Sequence, residues 1–83
     1  MNIQMVDGRI LQGTALQIVK AMQQLAFGVD GYTVAEYIAS VADYALRFES
    51  AVLTITGSTD EELAESLVSE LLRVDLARRV GSL

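Results

Sequence analysis

The chain has 83 residues with no cysteine and no histidine. That excludes disulfides, Cys/His metal sites, thiol nucleophiles and an imidazole base, and leaves packing or association to stabilise a small core. A net charge of −5 argues against a nucleic-acid partner, and the longest uncharged runs, Ile10–Val19 and Ser50–Thr59, are ten residues each, too short to span a membrane. The N-terminus has no basic start followed by an apolar run, so the sequence points to the cytoplasm and to no membrane partner.

In chain order, Asn2–Gly13 is expected to form a β-hairpin. Asp7-Gly8 suits a two-residue turn in which both positions adopt positive φ. With that turn Met5 faces Ile10, Gln4 faces Leu11 and Ile3 faces Gln12. Ile3, Met5 and Ile10 then lie on the core face, and Val6 and Leu11 share the other face with Gln4 and Arg9.

Thr14–Phe27 reads as a first helix capped by Thr14 and ended at Gly28, with Leu16, Val19, Met22, Leu25 and Ala26 as its apolar stripe. A turn at 28–32 leads to a second helix, Thr33–Glu49. Glu36 completes a capping box with Thr33, and Val34, Ile38, Val41, Ala45 and Phe48 lie on one face. Tyr37 and Tyr44 stand on the shoulder of that face, and Asp43 and Arg47 are an i,i+4 pair.

The short β-branched stretch Ala51–Thr56 reads as a third strand ending at Gly57, with Ala51, Leu53 and Ile55 on one side and Val52, Thr54 and Thr56 on the other. A third helix follows from Ser58 to about Val74, possible as far as Val80. Its start is marked by Ser58 with Glu61 or Thr59 with Glu62, and its stripe is Leu63, Leu67, Leu71 and Val74. Asp60, Glu61, Glu62 and Glu65 suit its positive end. Arg73, Arg78 and Arg79 suit its negative one. A frayed end is expected from Gly81 to Leu83.

These elements give an α+β fold in the order ββααβα. It is one compact domain spanning residues 1–83, with a small three-stranded sheet and three helices packed on one face. The layout resembles that of small bacterial domains, without a motif that ties it to one family.

The sequence offers no recognisable catalytic, cofactor-binding or metal-binding residue, so neither enzyme activity nor a cofactor is expected. The acidic cluster at 60–65 follows no Ca²⁺-loop spacing, Gly28-x-x-Gly31 is not a phosphate loop, and Lys20 lies on the polar side of its helix. What is left over is the second face of the sheet. Val6, Leu11, Val52, Thr54 and Thr56 are expected to line it with no helix available to cover them, which makes it the candidate interaction surface. The leading expectation is therefore a non-catalytic protein-interaction module whose partner is another copy of itself or another protein. The alternatives are a small transcriptional regulator or antitoxin-like protein, built on the helix pair Thr14–Phe27 and Thr33–Glu49, and a carboxylate- and tyrosine-based ligand-binding or enzyme-accessory domain.

Overall fold

The computed structural model describes residues 1–26 and 28–81. Phe27, the last residue of the expected first helix, and Ser82 and Leu83 of the expected frayed end lie outside the described residues. The fold is α+β, with three antiparallel strands in one open sheet and three helices. The elements are β1 Asn2–Met5, β2 Ile10–Gln12, α1 Ala15–Leu25, α2 Val34–Glu49, α3 Asp60–Arg73 and β3 Ala77–Arg79, and the strand order is β2-β1-β3.

The hairpin forms, but one residue out of the expected register. Asn2 pairs with Gln12, Ile3 with Leu11 and Gln4 with Ile10. Met5 N–H donates to the Arg9 carbonyl (2.8 Å) and Gly8 N–H to the Met5 carbonyl (2.9 Å), so the loop holds three residues, Val6, Asp7 and Gly8. Gly8 takes φ +94°, the left-handed position such a loop requires. Burial explains the choice. The two-residue turn would have placed Gln12 beside Ile3 in the core, whereas the observed register places Leu11 there. A one-residue slip moves every side chain to the opposite face, so Leu11 is buried and Ile10 is exposed.

All three helices open with a reciprocal capping box. Thr14 with Gln17, Thr33 with Glu36 and Thr59 with Glu62 each exchange side-chain and backbone hydrogen bonds across the first turn. Thr59, rather than Ser58, is the cap of α3. The end of α1 departs from expectation: its cap is Ala26 in an extended conformation, two residues short of Gly28.

The third strand lies elsewhere than at Ala51–Thr56, and α3 stops earlier than its longest expected extent. After Arg73 the chain reverses. Leu76 N–H bonds to the Leu71 carbonyl (2.9 Å) and Asp75 N–H to the Leu72 carbonyl (3.3 Å), closing a Schellman motif around Asp75 at φ +63°. Aspartate tolerates the left-handed conformation better than most residues, so a turn forms with neither glycine nor proline to announce it. Asp75 makes this turn. β3 then runs antiparallel to β1, with Ile3 opposite Arg79, Gln4 opposite Arg78 and Met5 opposite Ala77.

Among the described residues, two helices cover the sheet. α1 packs on β2 and α3 on β3, while α2 packs on α1 and α3 and meets no strand among the described residues. The core thus lies in two tiers. Ile3, Leu11 and Ala77 of the sheet meet Ile18, Val19, Leu67 and Leu71 below, and Tyr37, Ile38 and Ala45 of α2 close the top. The far face of the sheet carries Gln4 and Arg78, whose guanidinium donates to Gln4 Oε1 through Nε (3.0 Å) and a terminal nitrogen (2.6 Å), with exposed Ile10 beside them.

Candidate interaction surface

The five residues expected to form one uncovered sheet face do not share one. Leu11 is in the core. Val6 is 66% exposed in the hairpin loop. Val52, Thr54 and Thr56 are exposed as expected, but on an extended segment that belongs to no sheet.

That segment, residues 51–57, runs without turn or bend, and its burial alternates residue by residue through Thr56. Leu53 and Ile55 pack against the core while Val52, Thr54 and Thr56 face outward. It has the period of a strand but lies along α3, whose side chains take the place of a neighbouring strand. Thr56 N–H donates to Ser66 Oγ (3.0 Å), Thr54 N–H donates to Glu70 Oε1 (2.7 Å), and an Arg73 terminal nitrogen donates to the Val52 carbonyl (2.7 Å). The Ser66 hydroxyl also donates to the Thr54 carbonyl (3.4 Å). The periods explain the fit: two strand residues advance about 6.6 Å and four helix residues about 6.0 Å. Ser66 and Glu70 therefore meet Thr56 and Thr54 in step, and the long Arg73 side chain reaches Val52.

Each end of the segment is tied down. Ser50 adopts φ +53°, and Ala51 N–H bonds to the Ala45 carbonyl (3.0 Å), fastening the start to the last turns of α2. At the other end Gly57 has φ +127°, and a Cβ there would lie 2.7 Å from Glu62 Cβ. Only glycine lets the chain pass this close to the first turn of α3.

Two of the shifted carboxylates, Glu70 and Glu62, serve this architecture. Glu70 is held down at about 2 by its hydrogen bonds from Arg73 and then by the Thr54 N–H. Glu62 is lowered by the Ser58 N–H, the Ser58 hydroxyl and the Thr59 N–H, which converge on Oε1. Asp7 is lowered by Arg9. In each case the donors favour the ionised form. For Glu70 the folded value lies below the usual 4.5, so the unfolded chain binds the proton more readily. The stabilising contribution is complete above about pH 4.5 and is lost as pH falls toward about 2. Glu70→Gln is expected to make the acid side of the stability–pH curve shallower in that window. In the native chain the Thr54 amide resonance should titrate with the Glu70 carboxylate. A Thr54 amide indifferent to pH across that same window would refute the clasp.

The groove between segment and helix holds about 420 Å³ and is lined by Thr54, Thr56, Glu62, Glu65, Ser66 and Glu70 among others. Its acidic oxygens at Glu62 and Glu70 are already engaged by the protein's own donors.

The apolar surface is at the end of α2. Tyr44 is 57% and Phe48 70% exposed, with ring centroids 4.8 Å apart. Phe48 is thus not the core residue that the helical spacing predicts. It does lie on the stripe that buries Ile38 and Ala45, but α2 carries that stripe past the part of the helix that its neighbours cover. Tyr37, one heptad before Tyr44, is buried. The helical pattern identifies the stripe correctly, and only the packing shows where its cover ends. Comparison with known proteins returns no match to a family model, to a curated protein or to a solved structure, so function has to be read from this chain's own geometry.

Proposed function

We propose that this chain is a non-catalytic protein-interaction module that associates with itself. The observation that carries this reading is the uncovered continuation of the α2 core stripe at Phe48, whose ring lies tilted against that of Tyr44 on the stripe's shoulder, with exposed Val52 on the segment fastened to the same helix end. Aromatic rings left in water at the end of an otherwise buried stripe are what a partner surface would cover. A small core gains stability from that cover by mass action.

The test is the absolute mass in solution, by light scattering across a dilution series. A mass that rises well above the 9.0 kDa of one chain supports the reading, and a monomer throughout overturns it. Phe48→Asp puts a charge on an exposed position. It is expected to weaken association at least ~10-fold, the scale of about 1.4 kcal/mol, with an unchanged far-UV circular dichroism spectrum.

A further inference from the structure

Along the inner edge of the 51–57 segment α3 side chains bond the Val52 C=O, both groups of Thr54 and the Thr56 N–H; the outer edge has no such bonds among the described residues. In an extended chain the N–H and C=O of one residue point to one side and those of the next residue to the other. Val52, Thr54 and Thr56 direct theirs at Arg73, Glu70 and Ser66. Leu53 and Ile55 direct theirs away, and neither backbone N–H nor C=O of these two residues has a hydrogen-bond partner among the described residues. Unpaired backbone groups of this kind are rarely buried away from water, so this edge faces solvent. Proteins blunt such edges with lysine, proline, charge or a bulge. Here Ser50–Thr59 contains no charged residue, and the chain has no proline at all.

We propose that residues 51–57 pair with the same segment of a second copy, as an antiparallel ribbon about a two-fold axis through Thr54; this rests on the self-association reading above and specifies its contact. The pattern on the page is self-complementary. With Thr54 opposite its own twin, Leu53 of one copy faces Ile55 of the other, and these are the residues with free donors and acceptors, so each N–H meets a C=O. Ala51 then faces Gly57 and Ser50 faces Ser58, all small. A two-fold pairing also brings like charges together wherever charges exist, and a chain at −5 can tolerate that only along an uncharged stretch such as this one. Strand addition of this kind draws its affinity from main-chain hydrogen bonds. The start of the segment is fastened to the end of α2, the end that carries Phe48.

Single cysteines test the register, since the chain has none of its own. The twin Thr54 Cα atoms would form a non-hydrogen-bonded pair about 4.5 Å apart, within the roughly 4.4–6.8 Å a disulfide accepts. Two Val52 positions, or two Thr56 positions, would be about 14 Å apart, four residues along the strand and one strand spacing across. Under mild oxidation Thr54→Cys is expected to form a covalent dimer at least ~10-fold faster than Val52→Cys or Thr56→Cys. In the unmodified chain, exchange of the Leu53 and Ile55 amides should slow as concentration rises. Thr54 and Thr56 amides, bonded within one copy, should not change. If the mass shows a dimer but Thr54→Cys links no faster than its neighbours and Leu53 and Ile55 stay unprotected, strand pairing is overturned while self-association stands. If the mass shows a monomer at every concentration, both fall. Should the cysteine variant fail to fold, the exchange measurement decides alone.

Discussion

Replacing Leu11 with lysine is expected to unfold the domain, while the same substitution one residue earlier, at Ile10, leaves it folded. The two residues are adjacent aliphatics in one short strand, and composition does not distinguish them. Leu11 stands opposite Ile3 in the core, and Ile10 stands on the far face opposite Gln4. Leu11→Lys would forfeit about 2 kcal/mol of side-chain burial and either bury an unpaired ammonium at several kcal/mol or pull the strand out of the sheet. Against a total stability that is on the order of 5–15 kcal/mol for proteins generally, and at the low end for so short a chain, that is enough to lose the fold. In Ile10→Lys the new ammonium reaches water directly, and stability should change by no more than about 0.5 kcal/mol. Urea unfolding followed by circular dichroism checks both. A folded Leu11→Lys with an unfolded Ile10→Lys would mean that the hairpin uses the two-residue turn after all.

The second large effect is expected at Leu67. It is fully buried near the middle of α3, the helix that packs on α1, α2 and β3 together. Leu67→Ala therefore opens a cavity where both tiers of the core meet and should cost about 2–5 kcal/mol. At roughly 4–8 °C per kcal/mol for a domain of this size, the melting temperature should fall by about 10 °C or more. Leu46→Ala is the control: the same atoms are removed from a side chain that is 55% exposed, and the melting temperature should hardly move. Equal losses at the two sites would show that Leu46 is covered in solution. That would relocate the partner surface from the Tyr44–Phe48 side of α2 to the opposite one.

Association and stability are coupled in this chain. If the outer edge of 51–57 and the end of α2 are covered in a dimer, the midpoint of unfolding should rise with protein concentration. The Leu67→Ala and Leu11→Lys measurements should accordingly be compared at one fixed concentration.

The sequence by itself determined the α+β class, the three helices, Thr14 as the first cap and the Thr33–Glu36 capping box, because these rest on local chemistry; it left Ser58 and Thr59 open as the third cap. Thr14, Thr33 and Thr59 cap their helices through residues three positions away, and period-3.6 stripes declare which helix faces will be buried. It also marked Val52, Thr54 and Thr56 as exposed on an extended stretch, since a period of two is equally local. What only the tertiary structure decided are the competitions between partners distant in sequence. Asp7-Gly8 fits a two- or a three-residue turn, and the choice fell to whichever register puts Leu11 rather than Gln12 beside Ile3. Ala51–Thr56 and Ala77–Arg79 could each have supplied the third strand. The tight reversal at Asp75 brings the second of them beside β1, while Ser66, Glu70 and Arg73 occupy the inner edge of the first. Phe48 belongs to the core stripe by pattern and to the surface by position, because a helix pattern specifies direction and not how far its neighbours extend. The proposed contact arises from that same competition: a segment with the sequence of a strand was left out of the sheet, and its free edge remains to be paired.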